Sequence, residues 1–335
     1  MNELNLDEEI LGKGAIRDIE DPRDLPYEPI FSAAPPVTQQ EWQAGFDIRS
    51  KLGLSRLPIK NQFSSSSCVG QAFSYYGAIL NLAETGVYNE FSAKSIYSQI
   101  RLPQGGAFFR DGAKLMVDFG SLLELTIKSY KSDGTVDEQF ISEKNWITPE
   151  LIEMAKVFQS KEYRLINGIG IDVFAQAIRD NNGVVFGVEG VNNGTWNNLQ
   201  PVPPSTNSDW AHALYGVGFG INSQGKKTIY TPNSWGDRFG GAMQEITEDY
   251  FVNNNRWIFN PWVLVDKSNS SNESMTNARI VKEAAPSRGV GVYLPALNEN
   301  ALISLAKNHG LEIPLLAPDK VDWSNIKYSG ELKPL

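Results

Sequence analysis

One cysteine, Cys68, stands in a chain of 335 residues. It excludes any intramolecular disulfide, so the fold must be held by a hydrophobic core, and a reducing compartment suits the chain better than a secreted one. The core is affordable: hydrophobic residues make up 41% and charged residues 21% of the chain, as in ordinary globular proteins. The length suits one large domain or two small ones.

The surroundings of Cys68 point to chemistry rather than to simple packing. Leu57 to Ser74 reads LPIKNQFSSSSCVGQAFS, with Gln62 upstream and the serines Ser64 to Ser67 directly before the cysteine. After it, Ala72, Tyr75, Tyr76, Ile79, Leu80 and Ala83 recur at helical spacing, and Gly86 follows Thr85 as a stop signal. The spacing predicts a helix from about Cys68 to Glu84, with Ser67 as its N-cap accepting from an unpaired amide. Cys68 then lies on the first turn, where the helix dipole favours an anion and the thiol pKa is expected to fall.

Residues 1 to about 45 read as an extension with little regular structure, broken by Pro22, Pro26, Pro29, Pro35 and Pro36. Residues 1 to 30 carry a net charge of −6 out of −9 for the whole chain. A solvated tail is the favoured reading of this start, and a segment lying over the protein's own active site is the alternative. The remainder has balanced charge and no basic block, which disfavours nucleic acid as a partner. No apolar run reaches the length of a membrane span. The start MNELNLDEEI lacks the features of a secretory signal, so a cytoplasmic or virion-associated location is expected.

From 46 to 150 the pattern is mostly helical. Ser92 caps a helix beginning at Ala93, another helix ends at Gly120, and Thr148-Pro149-Glu150 opens a short helix over Leu151 to Phe158. Between the first two lies Gly105-Gly106, where backbone without side chains could approach an extended peptide. From about 165 to 267 short apolar runs alternate with turns: strand character at Leu165 to Ile171, a helix over Asp172 to Arg179, a strand at Val184 to Val188, and a polar loop over Val191 to Asp209. Residues 268–274 form a polar linker. The tail after it holds one clear helix, Glu299 to Asn308, with His309 in a structural role at its end.

Three segments together resemble the papain-like cysteine proteases, specifically a divergent member of bacterial or viral kind. Ile59-Lys60-Asn61-Gln62, Cys68 and Ala72-Phe73-Ser74 resemble the nucleophile segment. Ala211-His212-Ala213-Leu214-Tyr215-Gly216-Val217-Gly218-Phe219-Gly220 resembles the strand bearing that family's catalytic histidine. Asn233-Ser234-Trp235-Gly236, with Phe239-Gly240 after it, resembles the family's N-S-W-G-x-x-W-G segment. Cys68 and His212 are 144 positions apart, within the family's range. The likeness spans about residues 46 to 265 and covers neither extension.

The resemblance implies an α+β fold of two lobes, a helical left lobe (46–150) and an antiparallel β-barrel-like right lobe (165–267), flanked by an acidic extension (1–45), a candidate prosegment, and by a C-terminal extension (268–335). It implies hydrolysis of peptide bonds without cofactor or metal. Cys68 would be the nucleophile, His212 its acid and base, Asn233 the orienter of His212 and Gln62 the oxyanion donor. Gly105, Gly106 and Trp235 would serve substrate binding, Trp235 by shielding the His212–Asn233 bond. Two other readings stand beside it. One is a papain-fold structural or binding protein, such as a virion or assembly component docking through the C-terminal extension. The other is an acyl-transferring relative such as a transglutaminase or amidase.

Overall fold

A computed structural model describes residues 13–27, 35–168, 170–237, 243–252 and 257–265. The first described stretch carries two short strands, β1 (Ala15–Ile16) and β2 (Pro26–Tyr27). Helix α1 (Gln39–Ala44) follows. Its capping box has the Thr38 hydroxyl accepting from the Glu41 N–H, while the Glu41 carboxylate accepts from the Thr38 N–H. The expectation of little regular structure before residue 45 is thereby corrected. Pro35 and Pro36 precede the box instead of interrupting the helix, and Trp42 is buried with its ring 5.0 Å from that of Phe219. Strand β3 (Phe46–Asp47) and the single turn α2 (Ile48–Lys51) lead into the loop that carries Gln62.

Helix α3 (Cys68–Thr85) starts and stops where its apolar spacing and Gly86 require. Gly86 takes φ 71°, a left-handed closure that costs glycine little. Gly77, the weak position in the pattern, is where Phe91 and Met116 press on the helix: an added Cβ would come within 2.7 Å of each. Around α3 pack α4 (Ala93–Ile100), whose N-cap Ser92 accepts from the Ser95 N–H, and, after β4 (Ala107–Phe108), α5 (Phe109–Asp118). The short helices α6 (Glu138–Ser142) and α7 (Pro149–Ala155) close this half, Thr148 capping the latter.

The second half is strand-rich: β5 (Glu162–Ile166), helix α8 (Ile171–Asn181), β6 (Val184–Gly190), β7 (Trp210–Gly216), β8 (Gly218–Ile221), β9 (Lys227–Pro232), β10 (Met243–Thr247) and β11 (Ile258–Val265). The strand expected at Leu165 to Ile171 lies a few residues earlier, and α8 begins where it was expected to end. One sheet runs β2-β5-β11-β6-β7, antiparallel but for the parallel β2–β5 edge, and the other runs β10-β9-β8-β3, antiparallel throughout. At Val217 the chain leaves one sheet for the other. This is the α+β architecture of a helical and a strand-rich lobe. Period-two alternation along β7 splits its side chains: Ala213 and Tyr215 join the core built around α3, while Leu214 joins the core between the sheets. The first core thus bridges both halves and sets β7 beside the start of α3.

Tyr27 and Trp42 belong to the core between the sheets, so the chain before residue 46 contributes to the strand-rich half. Phe239-Gly240, the linker 268–274, the helix expected over Glu299 to Asn308 and His309 lie outside the described residues.

Candidate active site

The Gln62 loop is clasped to the Asn233 segment by backbone bonds. The Gln62 N–H donates to Ser234 O at 2.7 Å and the Gly236 N–H to Lys60 O at 2.9 Å. Phe63 takes φ 48°, an uncommon conformation for a bulky residue, and its N–H is held by the Asn61 side chain. The Gln62 side chain is buried: Ser234 Oγ donates to its Oε1 at 2.6 Å, and its Nε2 donates to Ser65 O at 2.8 Å.

The serine run is a hydrogen-bonded unit and not a cap. Ser67 occupies the N-cap position of α3, but its side chain makes no capping bond, contrary to expectation. Its hydroxyl is instead 2.8 Å from that of Ser65 and accepts from Gln71 Nε2. Ser65 Oγ in turn donates to Gln62 O, so local competition among hydroxyls decides the outcome. The Ser66 N–H donates to Glu138, which also accepts from Tyr97 and Arg101.

His212 Nε2 lies 2.9 Å from Asn233 Oδ1. The neighbours of Asn233 settle the proton positions. Asn233 Nδ2 donates to Gln244 Oε1 at 2.5 Å, and its Oδ1 also accepts from the Ser234 N–H. Oδ1 is therefore the acceptor, and Nε2 carries the imidazole proton. Nδ1 is left as the basic nitrogen, buried and without a hydrogen bond among the described residues. Gln244, fully buried, donates to Trp196 O and Asn198 O, which fixes its own orientation and through it that of Asn233. No motif in the sequence marks Gln244.

Trp235 stacks on the imidazole, ring centroids 4.2 Å apart and planes 27° from parallel. Trp196 and Trp210 pack edge-on against it, so it is 2% exposed and covers the His212–Asn233 bond instead of lining an open cleft.

Residues 13–27 of the acidic start do not behave as a solvated tail. Gly14 to Arg17 run through the groove between the halves. β1 pairs with β4 in parallel, Ala15 opposite Ala107 and Ile16 opposite Phe108, and the Ala107 N–H donates to Gly14 O at 2.9 Å. Gly105 and Gly106 are both at positive φ; Gly106 faces this segment, a Cβ on it lying 2.6 Å from Gly14 O, whereas Gly105 faces Ser66 and Glu138. The bare-backbone strip therefore does face an extended strand, and that strand is the protein's own. Lys13 reaches Asn192 and lies over the Trp210 ring. Arg17 pairs with Glu189. Asp18 accepts from the Arg110 N–H at 3.0 Å and from Trp262 Nε1 at 2.7 Å. It thereby caps α5, whose own N-cap residue Phe108 offers no side chain for the purpose. Arg110 pairs with Asp24.

With the groove filled, burial decides the charges. The Cys68 thiol is pushed up to about 11 by desolvation, against the smaller help of the Ala213, Gly14 and Val69 backbone N–H groups. The expected fall at a helix N-terminus is thus overturned, because loss of water outweighs the dipole. Burial likewise pushes His212 down to about 3, the Asn233 bond opposing it. Thiol and imidazole are both neutral at pH 7 in this state.

No protein-family model matches the sequence, and no curated protein sequence does. Solved structures do match. Xylellain, a cysteine protease from Xylella fastidiosa, aligns with a TM-score of 0.60 at 22% identity over 77% of this chain and 97% of its own. The procathepsin B S9 of Trypanosoma congolense gives 0.55 at 13% identity over 80% and 90%. The bromelain protease of Ananas comosus, in complex with E64, gives 0.52 at 16% identity over 67% and 99%. The fold is that of the papain-like cysteine proteases. What the site does rests on its own residues.

Proposed function

We propose that this protein is a cysteine endopeptidase held latent by its own residues 13 to 24. The observation that carries the reading is the fixed tautomer of His212. Its Nε2–H is committed to Asn233, and its basic Nδ1 has no hydrogen-bond partner among the described residues. Once the segment leaves and water enters, Nδ1 takes the thiol proton and the thiolate attacks the peptide carbonyl. The Cys68 N–H and the second N–H of the Gln62 amide stabilise the oxyanion. Imidazolium Nδ1–H then protonates the leaving amine, and water hydrolyses the thioester by the reverse relay. The substrate is a peptide or protein bound along Gly105-Gly106, where Gly14 to Ile16 now lie. The altered Ser65-Ser66-Ser67-Cys68-Val69 motif fits a divergent branch of the fold.

The test is mass spectrometry after exposure to a peptidyl epoxide at neutral pH. The reading expects slow labelling of the intact chain, fast labelling when the segment is displaced by Gly14→Val, and loss of that gain in the Gly14→Val, His212→Ala chain. Labelling indifferent to His212 would leave a papain-fold binding protein as the better account.

A further inference from the structure

The groove contains a built recess for a guanidinium. Glu189 lies on the side of β6 that faces the groove, opposite Ala211 of β7 in register. Ser208 Oγ donates to its Oε2 at 2.7 Å, which leaves Oε1 directed at the groove. Arg17 of the blocking segment fills the place: its Nη2 is 2.6 Å and its Nε 3.0 Å from Oε1, and its guanidinium lies 4.2 Å from the centre of the Phe259 ring. Phe259 is itself fixed, packed edge-on against Phe109 at 5.5 Å. The Glu189 side chain is 15% exposed even with Arg17 in place, against 47% for the arginine.

The carboxylate and the ring belong to strands of the sheet, whereas the cation belongs to the segment that must leave. Glu189 forms its ion pair with Arg17. Removing the segment exposes a carboxylate already oriented by Ser208, with an aromatic face beside it. This combination binds a planar cation through charge, hydrogen bonds and the ring quadrupole together.

We propose that Glu189, with Ser208 and Phe259, forms a subsite that selects substrates carrying an arginine on the β4 flank of the bond to be cut, and that Arg17 occupies it as an internal mimic. This deepens the peptidase reading and rests on it for the word substrate, but the recess can be tested without catalysis.

The experiment uses the full-length chain carrying Gly14→Val, which displaces the segment, and Cys68→Ala, which prevents turnover. Fluorescent peptides are matched except that arginine, citrulline or norleucine is walked along the sequence, and binding is read by anisotropy. At one position arginine should bind on the order of tenfold to a hundredfold more tightly than citrulline, its neutral isostere. Adding Glu189→Gln should bring the two within about twofold while leaving the norleucine peptide unchanged. Equal affinity for arginine and citrulline, an arginine preference that survives Glu189→Gln, or no binding of any peptide would overturn the proposal. Failure of the catalytic reading shows separately, in the His212-dependence of Cys68 labelling with the cysteine present.

Discussion

A single methyl-bearing side chain at Gly14 should open the site. A Cβ there would lie 2.1 Å from Ser66 O and 2.7 Å from Ser66 Cβ. Ser66 has little room to retreat, since its N–H is held by Glu138 and its neighbours Ser65 and Ser67 are fully buried. Forcing valine into such a site costs about 2–3 kcal/mol. Because the clash exists only while the segment is docked, that cost raises the open fraction roughly 30- to 150-fold. The assay is the rate of Cys68 alkylation by iodoacetamide at constant pH. The thiol is fully buried, so it reacts from the open state, and the rate follows the open fraction while reclosing outpaces the reagent. Gly170→Ala is the control: Gly170 has φ −131° and, among the described residues, nothing within 4 Å of an added Cβ, so the rate should not move. An unchanged rate in Gly14→Val, or an equal rise in Gly170→Ala, would refute the reasoning.

Three further outcomes follow from the same geometry. Asp18 is pushed up to about 6 by burial, so docking is favoured by protonation; that stabilisation is complete below the ordinary carboxylate pKa and is lost as pH rises through about 6. The alkylation rate of the native chain relative to Asp18→Asn should therefore rise about tenfold between pH 5 and pH 8, and a flat or falling ratio would contradict the sign. In the Gly14→Val background, Gln244→Leu should lower kcat on a peptide about tenfold with KM unchanged, by leaving Asn233 free to turn. Gln244→Glu still accepts from Asn233 Nδ2 but loses the donor bonds to Trp196 O and Asn198 O, so it should recover only part of the loss. Trp42→Ala should cost about 3–5 kcal/mol in a denaturant titration, because Trp42 fills the core against Phe219 and donates to Asp172; a loss below about 1 kcal/mol would show that α1 is not part of the fold.

What was legible in the sequence was local. The limits of α3, the Ser92 and Thr148 caps and the Gly86 closure each depend on residues within a turn or two. The Thr38–Glu41 capping box is equally local, but Pro35 and Pro36 beside it read as helix breakers. Ser67 failed as a cap because Ser65 and Gln71 compete for its hydroxyl, which no spacing rule weighs. The path of residues 13 to 24 was illegible for another reason. Its partners Ala107, Arg110, Glu189, Trp262 and Asn260, whose Oδ1 accepts from the Asp18 N–H, are far apart in the sequence, and a run of acids reads as solvated until the groups it pairs with are known. Placing Cys68 at a helix start was correct, yet the sign of its pKa shift depends on whether water reaches it, and Gly14 decides that. Gln62, Cys68, His212 and Asn233 were named from motifs; Gln244 and Glu189 were missed because they act through positions across the sheet that follow no fixed spacing.

The central claim is that Cys68 and His212 cleave peptide bonds once the chain's own segment is out of the groove. Its most direct test is hydrolysis of a quenched-fluorescence peptide library by the full-length Gly14→Val chain, beside the unaltered chain and Gly14→Val, Cys68→Ala. The account predicts turnover in Gly14→Val, far less in the unaltered chain and none when Cys68 is replaced. Turnover that persists without Cys68, or its absence in a Gly14→Val chain whose Cys68 alkylates rapidly, would contradict it.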